Sequence, residues 1–246
     1  MTRVMLLVLA LSLEASCWKR PGSQTSEPPK NESVATSEAS PRRSEEVSKT
    51  AERNEEPPLE FTDIDFRNFS YATSLRGKIR LKKGTVEYAD PPGGGGDTFS
   101  FDRVYYLDLN GDGKKEAIVD LSQVSCGASC DGGAHLFYFY SATQDLPKLF
   151  WKVETGDLAY GCGLRSLVVS ERQLILETFK SCVFKNGVVE EAYDRNEISG
   201  GKFNAASFTR FKFEFSGKVF DLKSREVFPN PNVDVKNYPS RIEVGG

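Results

Sequence analysis

Apolar and polar residues alternate with a period of two through most of residues 61–246, the pattern typical of half-buried β-strands. The alternation is not helical, because no segment of this region keeps an apolar stripe at helical spacing over twelve residues. It predicts an all-β domain, built as an antiparallel, meander-rich β-sandwich or a curved open sheet. The clearest expected strands are residues 99–107, 117–124, 135–141, 149–154, 164–169 and 173–179.

Three glycine-containing turns predict β-hairpins, and each turn fixes a register for the strands beside it. In each expected register, apolar residues face one another on one side of the hairpin. The expected pairs are Leu81 with Val86 and Ile79 with Tyr88 across Lys83 and Gly84, Phe213 with Phe220 and Phe211 with Leu222 across Ser216 and Gly217, and Phe184 with Val189 across Asn186 and Gly187.

The segment 108–116, DLNGDGKKE, carries oxygen-bearing side chains at positions 1, 3, 5 and 9. Alternate residues point inward when a chain wraps a cation, and the glycine at position 6 permits the sharp bend. Carboxylates, an amide and a backbone carbonyl are hard oxygen ligands, which calcium accepts in a flexible cage. The sequence therefore predicts a structural calcium site, and the alternative is an Asx-rich turn without metal. The expected ligands are Asp108, Asn110, Asp112, Lys114 (through its carbonyl) and Glu116.

This segment is not an EF-hand, because position 12 is Val119 and strands flank it on both sides. A strand, a DxNGDGxxE loop and a second strand resemble the calcium loops of FG-GAP and VCBS-type repeats. A weaker similarity over most of 61–246 is to uncharacterised exported bacterial proteins that carry a single such loop. That resemblance implies a fold type and an exported location, and it implies no activity. The loop occurs once, which argues against a full propeller.

The N-terminus has the pattern of a secretory signal peptide over residues 1–16, with a ten-residue apolar stretch at 4–13. Residues 13–17, LEASC, resemble a bacterial lipobox and imply lipidation of Cys17. Glu14 departs from that motif, which has an aliphatic residue at this place, so secretion without a lipid anchor is the alternative. Residues 17–60 are rich in Ser, Pro and Glu and predict a disordered tether before the β-domain of 61–246.

The remaining four cysteines predict two disulfides, because an oxidising envelope compartment disfavours free thiols. Antiparallel pairing of the strands at 164–169 and 173–179 places Cys162 opposite Cys182 at the open end of their hairpin. Cys126 and Cys130 then pair by elimination. A four-cysteine zinc site is the alternative, although CGASC has three residues between its cysteines and not the usual two.

The composition argues against nucleic-acid binding and against histidine-based sites. The net charge of −3 offers no excess positive field for nucleic acid. The single histidine, His135, excludes two-histidine metal sites, and we expect it to be packed or at a strand edge and not to act as a general base. Tyr138, Tyr140 and Trp151 are expected in the core and not in a sugar-binding platform.

We expect a non-catalytic, calcium-stabilised β-domain of a bacterial envelope lipoprotein with no catalytic residues. Its expected contacts are the membrane, through the lipid anchor, and an envelope protein or glycan. The rival hypotheses are a secreted hydrolase acting on envelope glycan through paired carboxylates among Asp120, Asp131 and Asp157, and a soluble secreted binding protein without an anchor.

Overall fold

The structure, a computed structural model, describes residues 61, 63–90, 95–126, 130, 133–143, 146–159, 161–192 and 203–245. Within them fourteen strands form three sheets, and no α-helix occurs. The strands are β1 (Ser70–Thr73), β2 (Gly77–Arg80), β3 (Thr85–Ala89), β4 (Gly96–Leu107), β5 (Glu116–Cys126), β6 (Ala134–Ser141), β7 (Lys148–Glu154), β8 (Leu164–Ser170), β9 (Gln173–Phe179), β10 (Cys182–Lys185), β11 (Val188–Glu191), β12 (Ser207–Phe215), β13 (Phe220–Pro229) and β14 (Arg241–Val244). A 3₁₀ turn at Phe66–Asn68 precedes β1.

Two large sheets pack face to face. One has seven strands in the order β10-β11-β7-β6-β5-β4-β3, and its strands β3 to β7 form an antiparallel meander. The other has five strands in the order β13-β12-β9-β8-β14. Pairing is antiparallel except where β11 meets β7 and β14 meets β8. The predicted all-β, meander-rich fold is confirmed, and of the two predicted forms it is the β-sandwich.

The seven-stranded sheet is buried on both faces. Its inner face packs against the five-stranded sheet, in one cluster that includes Phe137, Phe139 and Phe211. Its other face is covered by a segment that contains the two-stranded sheet of β1 and β2, through Tyr71 and Ile79. Because both faces are covered, six consecutive residues of β5, Glu116–Leu121, are buried. Tyr138 and Tyr140 are buried and Trp151 packs against the inner cluster, as predicted.

The turn at Lys83 and Gly84 forms, but the hairpin predicted around it is wrong. Pairing across the turn ends at the bridge between Lys82 and Thr85. Beyond it β2 pairs with β1, and β3 pairs with β4. The pairs Leu81 with Val86 and Ile79 with Tyr88 therefore do not occur. Backbone bonding explains the separation, because the N–H of Leu81 donates to the carbonyl of Phe69 and so joins the chain to β1 instead.

The last hairpin forms with a register two residues from the predicted one. Phe213 lies opposite Leu222, Phe215 opposite Phe220 and Phe211 opposite Arg225, so the predicted pairs Phe213 with Phe220 and Phe211 with Leu222 are both wrong. The cause is the turn, which spans residues 216–219 and is closed by the N–H of Ser216 donating to the carbonyl of Val219 at 2.9 Å. The shift of two keeps side chains on their predicted faces only as far as a bulge between Lys212 and Phe213, beyond which the register differs from the predicted one by three residues. The hairpin at Asn186 and Gly187 has its predicted register, with Phe184 opposite Val189.

Both predicted disulfides are present, and the zinc alternative is therefore wrong. Cys126 is bonded to Cys130 with Cα atoms 4.2 Å apart, and Cys162 is bonded to Cys182 with Cα atoms 6.0 Å apart. The second pair does not lie on one hairpin as expected, because β9 ends at Phe179 and the chain crosses to the other sheet before Cys182. This disulfide therefore joins the segment before β8 to β10 of the seven-stranded sheet. No helix in the described residues is long and apolar enough to cross a membrane.

Candidate functional site

The predicted calcium loop connects β4 to β5, neither of which is an edge strand of the seven-stranded sheet. The last strand pair before it is Leu107 with Glu116, and the buried side chain of Leu109 anchors it in the inner core. Gly111 and Gly113 have φ angles of 76° and 83°, in the left-handed region that favours glycine. A Cβ at either position would meet no atom within 4 Å, so the requirement for glycine is conformational and not one of space.

Asp108 is the centre of the loop's hydrogen bonding. Its carboxylate accepts the backbone N–H groups of Gly111 at 2.7 Å, Asp112 at 3.2 Å and Gly113 at 2.8 Å. The N–H of Gly113 contributes most to lowering the pKa of Asp108, with further contributions from the N–H groups of Gly111, Asp112 and Asn110 that outweigh the opposing effect of burial. Asp108 is therefore a stable carboxylate that faces the concave side of the turn.

Glu116 differs from the other predicted ligands of the loop because it is buried, with 5 % of its surface exposed. Its Oε2 accepts the N–H of Leu109 at 2.8 Å, and its Oε1 accepts the side-chain amide of Asn110 at 3.3 Å. Burial raises the pKa of Glu116, the N–H of Leu109 lowers it, and the charges of Asp112 and Asp108 raise it further. Within the described residues no lysine or arginine forms an ion pair with Glu116.

Hydrogen bonds connect the side chains of Asp108, Asn110, Asp112 and Glu116 with the backbone of the loop in one network. Asp112 accepts the N–H of Lys114 at 2.8 Å and donates its own N–H to Asn110 at 2.7 Å. The side chain of Lys114 is exposed and takes no part in this network. These are Asx-turn hydrogen bonds, which account for the shape of the loop without an ion, so calcium stays a prediction.

A cavity of about 550 Å³ borders the loop. Two loop residues, Asn110 and Glu116, form part of its wall. The rest comes from the end of β6 and the start of β7 and from the β12–β13 hairpin. It includes the apolar side chains of Leu149, Phe150, Phe215 and Val219, the lysines Lys148 and Lys218, and Ser141. Sequence reasoning missed this cavity because three separate parts of the chain form it, and no local pattern connects them.

Asp102, Asp120 and His135 are the one group of three histidine or acidic residues in the described chain whose ligand atoms all lie within 4.8 Å of one another. The Nδ1 of His135 lies 3.1 Å from Oδ1 of Asp120, and its ring stacks on Phe137. Burial lowers the pKa of His135, but the hydrogen bond to Asp120 and the charges of Asp120 and Asp102 outweigh it, and the pKa is raised. Sequence reasoning did not find this group.

The other residues singled out in the sequence either have a defined environment or lie outside the residues that the structure describes. Residues 1–60, with the signal peptide, Cys17 and the tether, lie outside the described residues, as does Asp131. Asp157 accepts the N–H of Ala159 at 2.6 Å in the turn after β7. Asp120 is paired with His135. No observation on the described residues favours the predicted hydrolase carboxylate pair.

No protein-family model, curated protein or solved structure matches this chain.

Proposed function

We propose that this protein is a non-catalytic binding domain of the bacterial cell envelope, anchored by lipid at Cys17 and stabilised by calcium in the loop 108–116. The observation that carries the proposal is that two residues of the loop, Asn110 and Glu116, also form part of the wall of the cavity. An ion that holds these two side chains would also shape one side of the cavity. Calcium would then maintain the fold locally and keep the binding surface in order.

The buried carboxylate of Glu116 is the physical reason for a cation in the loop. A buried charge is costly unless a partner neutralises it, and the neighbours of Glu116 are N–H groups and two further carboxylates. Three carboxylates and an amide within nine residues match the oxygen ligands that calcium takes. The resemblance of the motif to FG-GAP and VCBS-type loops supports the same ion.

The cavity supports a binding function. Its volume of about 550 Å³ lies within the range of roughly 300–1,000 Å³ that is usual for ligand pockets. The apolar wall offers contact area, and Lys148 and Lys218 supply two positive charges beside it. These features favour a ligand with an apolar part and an acidic group, such as a segment of an envelope protein or an acidic envelope glycan.

The calcium part of the proposal is tested by thermal unfolding with calcium and with chelator. A dissociation constant of about 10 µM and about 1 mM free calcium give a stabilisation of about 2.7 kcal/mol, or roughly 5–10 °C in melting temperature. Asp108→Ala and Asp112→Ala should abolish the calcium response, and Asp221→Ala, an exposed aspartate on β13, should keep it. Identical wild-type melting in both buffers would show that the loop is a metal-free turn.

The anchor is tested by metabolic labelling with palmitate. Wild-type protein should carry the label, and Cys17→Ser should not. Unlabelled wild-type protein in the soluble secreted fraction would support the alternative without an anchor.

The binding part is tested by crosslinking in native envelopes, with two matched leucine variants. Leu149 lines the cavity and is 39 % exposed, whereas Leu75 lies in the turn between β1 and β2 and is 52 % exposed. A crosslinked product that Leu149→Asp abolishes and Leu75→Asp retains supports a ligand in the cavity. A product that both variants retain would contradict this assignment of the binding surface.

A further inference from the structure

Asp102, Asp120 and His135 come from three adjacent strands, β4, β5 and β6, and their ligand atoms all lie within 4.8 Å of one another. On β5, Asp120 lies on the same face as Glu116 and four residues after it. Four residues of strand span about 13 Å, so this group is separate from the calcium loop. The imidazole also distinguishes it chemically from the all-oxygen ligands of that loop.

A β-bulge places Asp102 in the group. Phe101 lies opposite Leu121 and Arg103 lies opposite Asp120, so Asp102 is the extra residue and no residue of β5 lies opposite it in the strand register. Regular alternation would direct Asp102 to the face opposite that of Arg103 and Asp120. The bulge instead brings its carboxylate to the face of Asp120, where Oδ1 of Asp102 accepts the hydroxyl of Ser122 at 3.1 Å. Bulges of this kind re-aim side chains beside functional sites.

His135 is held in place before any ligand binds. Its ring stacks on Phe137 with an interplanar angle of 7° and a centroid distance of 5.8 Å. Its backbone N–H donates to the hydroxyl of Thr155 at 2.9 Å, and its carbonyl accepts the N–H of Thr155 at 2.8 Å. A rigid imidazole loses little conformational freedom when it binds an ion.

The distance between His135 and Asp120 suits two ligands of one ion. Ligands bonded at about 2.1 Å to one metal lie about 3.0–3.4 Å apart when their bonds enclose 90–109°. The separation of Nδ1 from Oδ1 is 3.1 Å. A simple Asp–His hydrogen bond has the same length, so the pair alone would not indicate a metal. Asp102, which also accepts the hydroxyl of Ser122, adds a third potential ligand atom within 4.8 Å of the other two, and the His135–Asp120 hydrogen bond does not require it there.

We propose that Asp102, Asp120 and His135 bind a divalent first-row transition metal of the Zn²⁺ type. Imidazole with two carboxylates suits such an ion, whereas calcium takes six to eight oxygen ligands. The side chain of Asp120 is buried, with 4 % exposed, and that of His135 is 23 % exposed, while Asp102 faces solvent. The ion therefore has a route from solvent and keeps a position for water, with Ser122 as an outer partner of Asp102.

The test is Zn²⁺ titration of the exported protein, prepared without a histidine tag, in buffer with 1 mM calcium. Because the chain has one histidine, the imidazole proton resonances in the NMR spectrum report on His135 alone. One Zn²⁺ per chain should bind and shift them. His135→Gln and Asp102→Asn should weaken binding by more than about 100-fold, and Ser122→Ala, which loses an outer partner only, by about 10–100-fold.

One matched variant defines the control. Asp221→Asn removes an exposed aspartate on β13 and should bind Zn²⁺ as the wild type does. Asp102→Asn is the decisive variant because Asp102 is exposed and its loss should leave the fold intact. Wild-type affinity in Asp102→Asn, unmoved imidazole resonances, or no Zn²⁺ binding to the wild-type protein would each overturn the proposal.

Discussion

Glu116 and Glu177 are both buried glutamates of this sandwich, and they obtain their partners in different ways. Glu177 of β9 pairs with Arg165 and Arg210 and accepts the hydroxyl of Ser166 at 2.9 Å. Glu116 has a backbone N–H and an amide, and two carboxylates of its own loop lie nearby. The five-stranded sheet therefore carries its own counter-charges for Glu177, whereas no lysine or arginine of the described residues forms an ion pair with Glu116.

The pKa directions of the two glutamates follow from this difference. Burial alone would raise the pKa of Glu177, but the hydrogen bonds from Arg210 and Ser166 and the charges of Arg165 and Arg210 outweigh it and lower the pKa. At Glu116 burial is not outweighed, and the pKa is raised. The protein itself supplies the cations that balance Glu177, whereas the described residues supply none for Glu116, and this difference is the reason for the calcium ion that we propose in the loop.

The same substitution at both glutamates should have very different effects. In calcium-free buffer at pH 7, Glu177→Gln should lower the free energy of unfolding by about 2–3 kcal/mol, because it leaves two arginines short of their anion. Glu116→Gln should change it by less than about 1 kcal/mol, because the amide still accepts the N–H of Leu109 and no longer repels Asp112. Urea unfolding measures both, and equal losses would remove the distinction.

The substitution Arg210→Met tests how much the ion pair of Arg210 with Glu177 stabilises the fold. Arg210 Nε donates to Glu177 at 2.8 Å, and its guanidinium lies 4.9 Å from the ring centre of Phe228. We expect a loss of about 2 kcal/mol, below the 3–5 kcal/mol typical of a broken buried pair, because Arg165 still partners Glu177. Lys212→Met is the control, since the exposed pair of Lys212 with Glu226 at 3.6 Å should contribute less than about 1 kcal/mol. A larger loss in the control would contradict this ranking.

Acid should reduce the advantage of wild type over Glu177→Gln, and this is the smallest of the expected effects. The folded pKa of Glu177 is lower than the unfolded value of about 4.3, so folding opposes its protonation. The stabilisation is therefore complete above about pH 4.3 and is lost as the pH falls through the folded pKa. Unfolding of both proteins between pH 7 and pH 3 measures the difference, and a difference that stays constant down to pH 3 would argue against the charged pair.

Features contained in a few consecutive residues could be predicted from the sequence. The register of the Asn186 and Gly187 hairpin depends on one two-residue turn, and the tight turn at 108–116 depends on nine residues, whereas calcium binding by that turn stays a prediction. The hairpin at Lys83 and Gly84 could not be predicted, because tertiary pairing with β1 and β4 outweighed the local turn.

The two remaining sites depend on geometry that no short segment encodes. Asp102 reaches Asp120 only through a one-residue bulge, and regular alternation would have placed it on the other face. The cavity forms where the loop meets β7 and the last hairpin, and the register of that hairpin was itself predicted two residues away. Aromatic strand residues were predictable as core because their alternation is local, even though their partners were not.

Calorimetric titration of calcium into chelator-treated wild-type protein and into Glu116→Gln tests the proposed calcium site most directly. We expect one calcium ion per wild-type chain with a dissociation constant of about 10 µM, and loss of most of that binding in Glu116→Gln because the buried carboxylate is a proposed ligand. Absence of calcium binding in the wild type, or equal binding in the variant, would contradict the proposal that a calcium ion neutralises the buried carboxylate of Glu116.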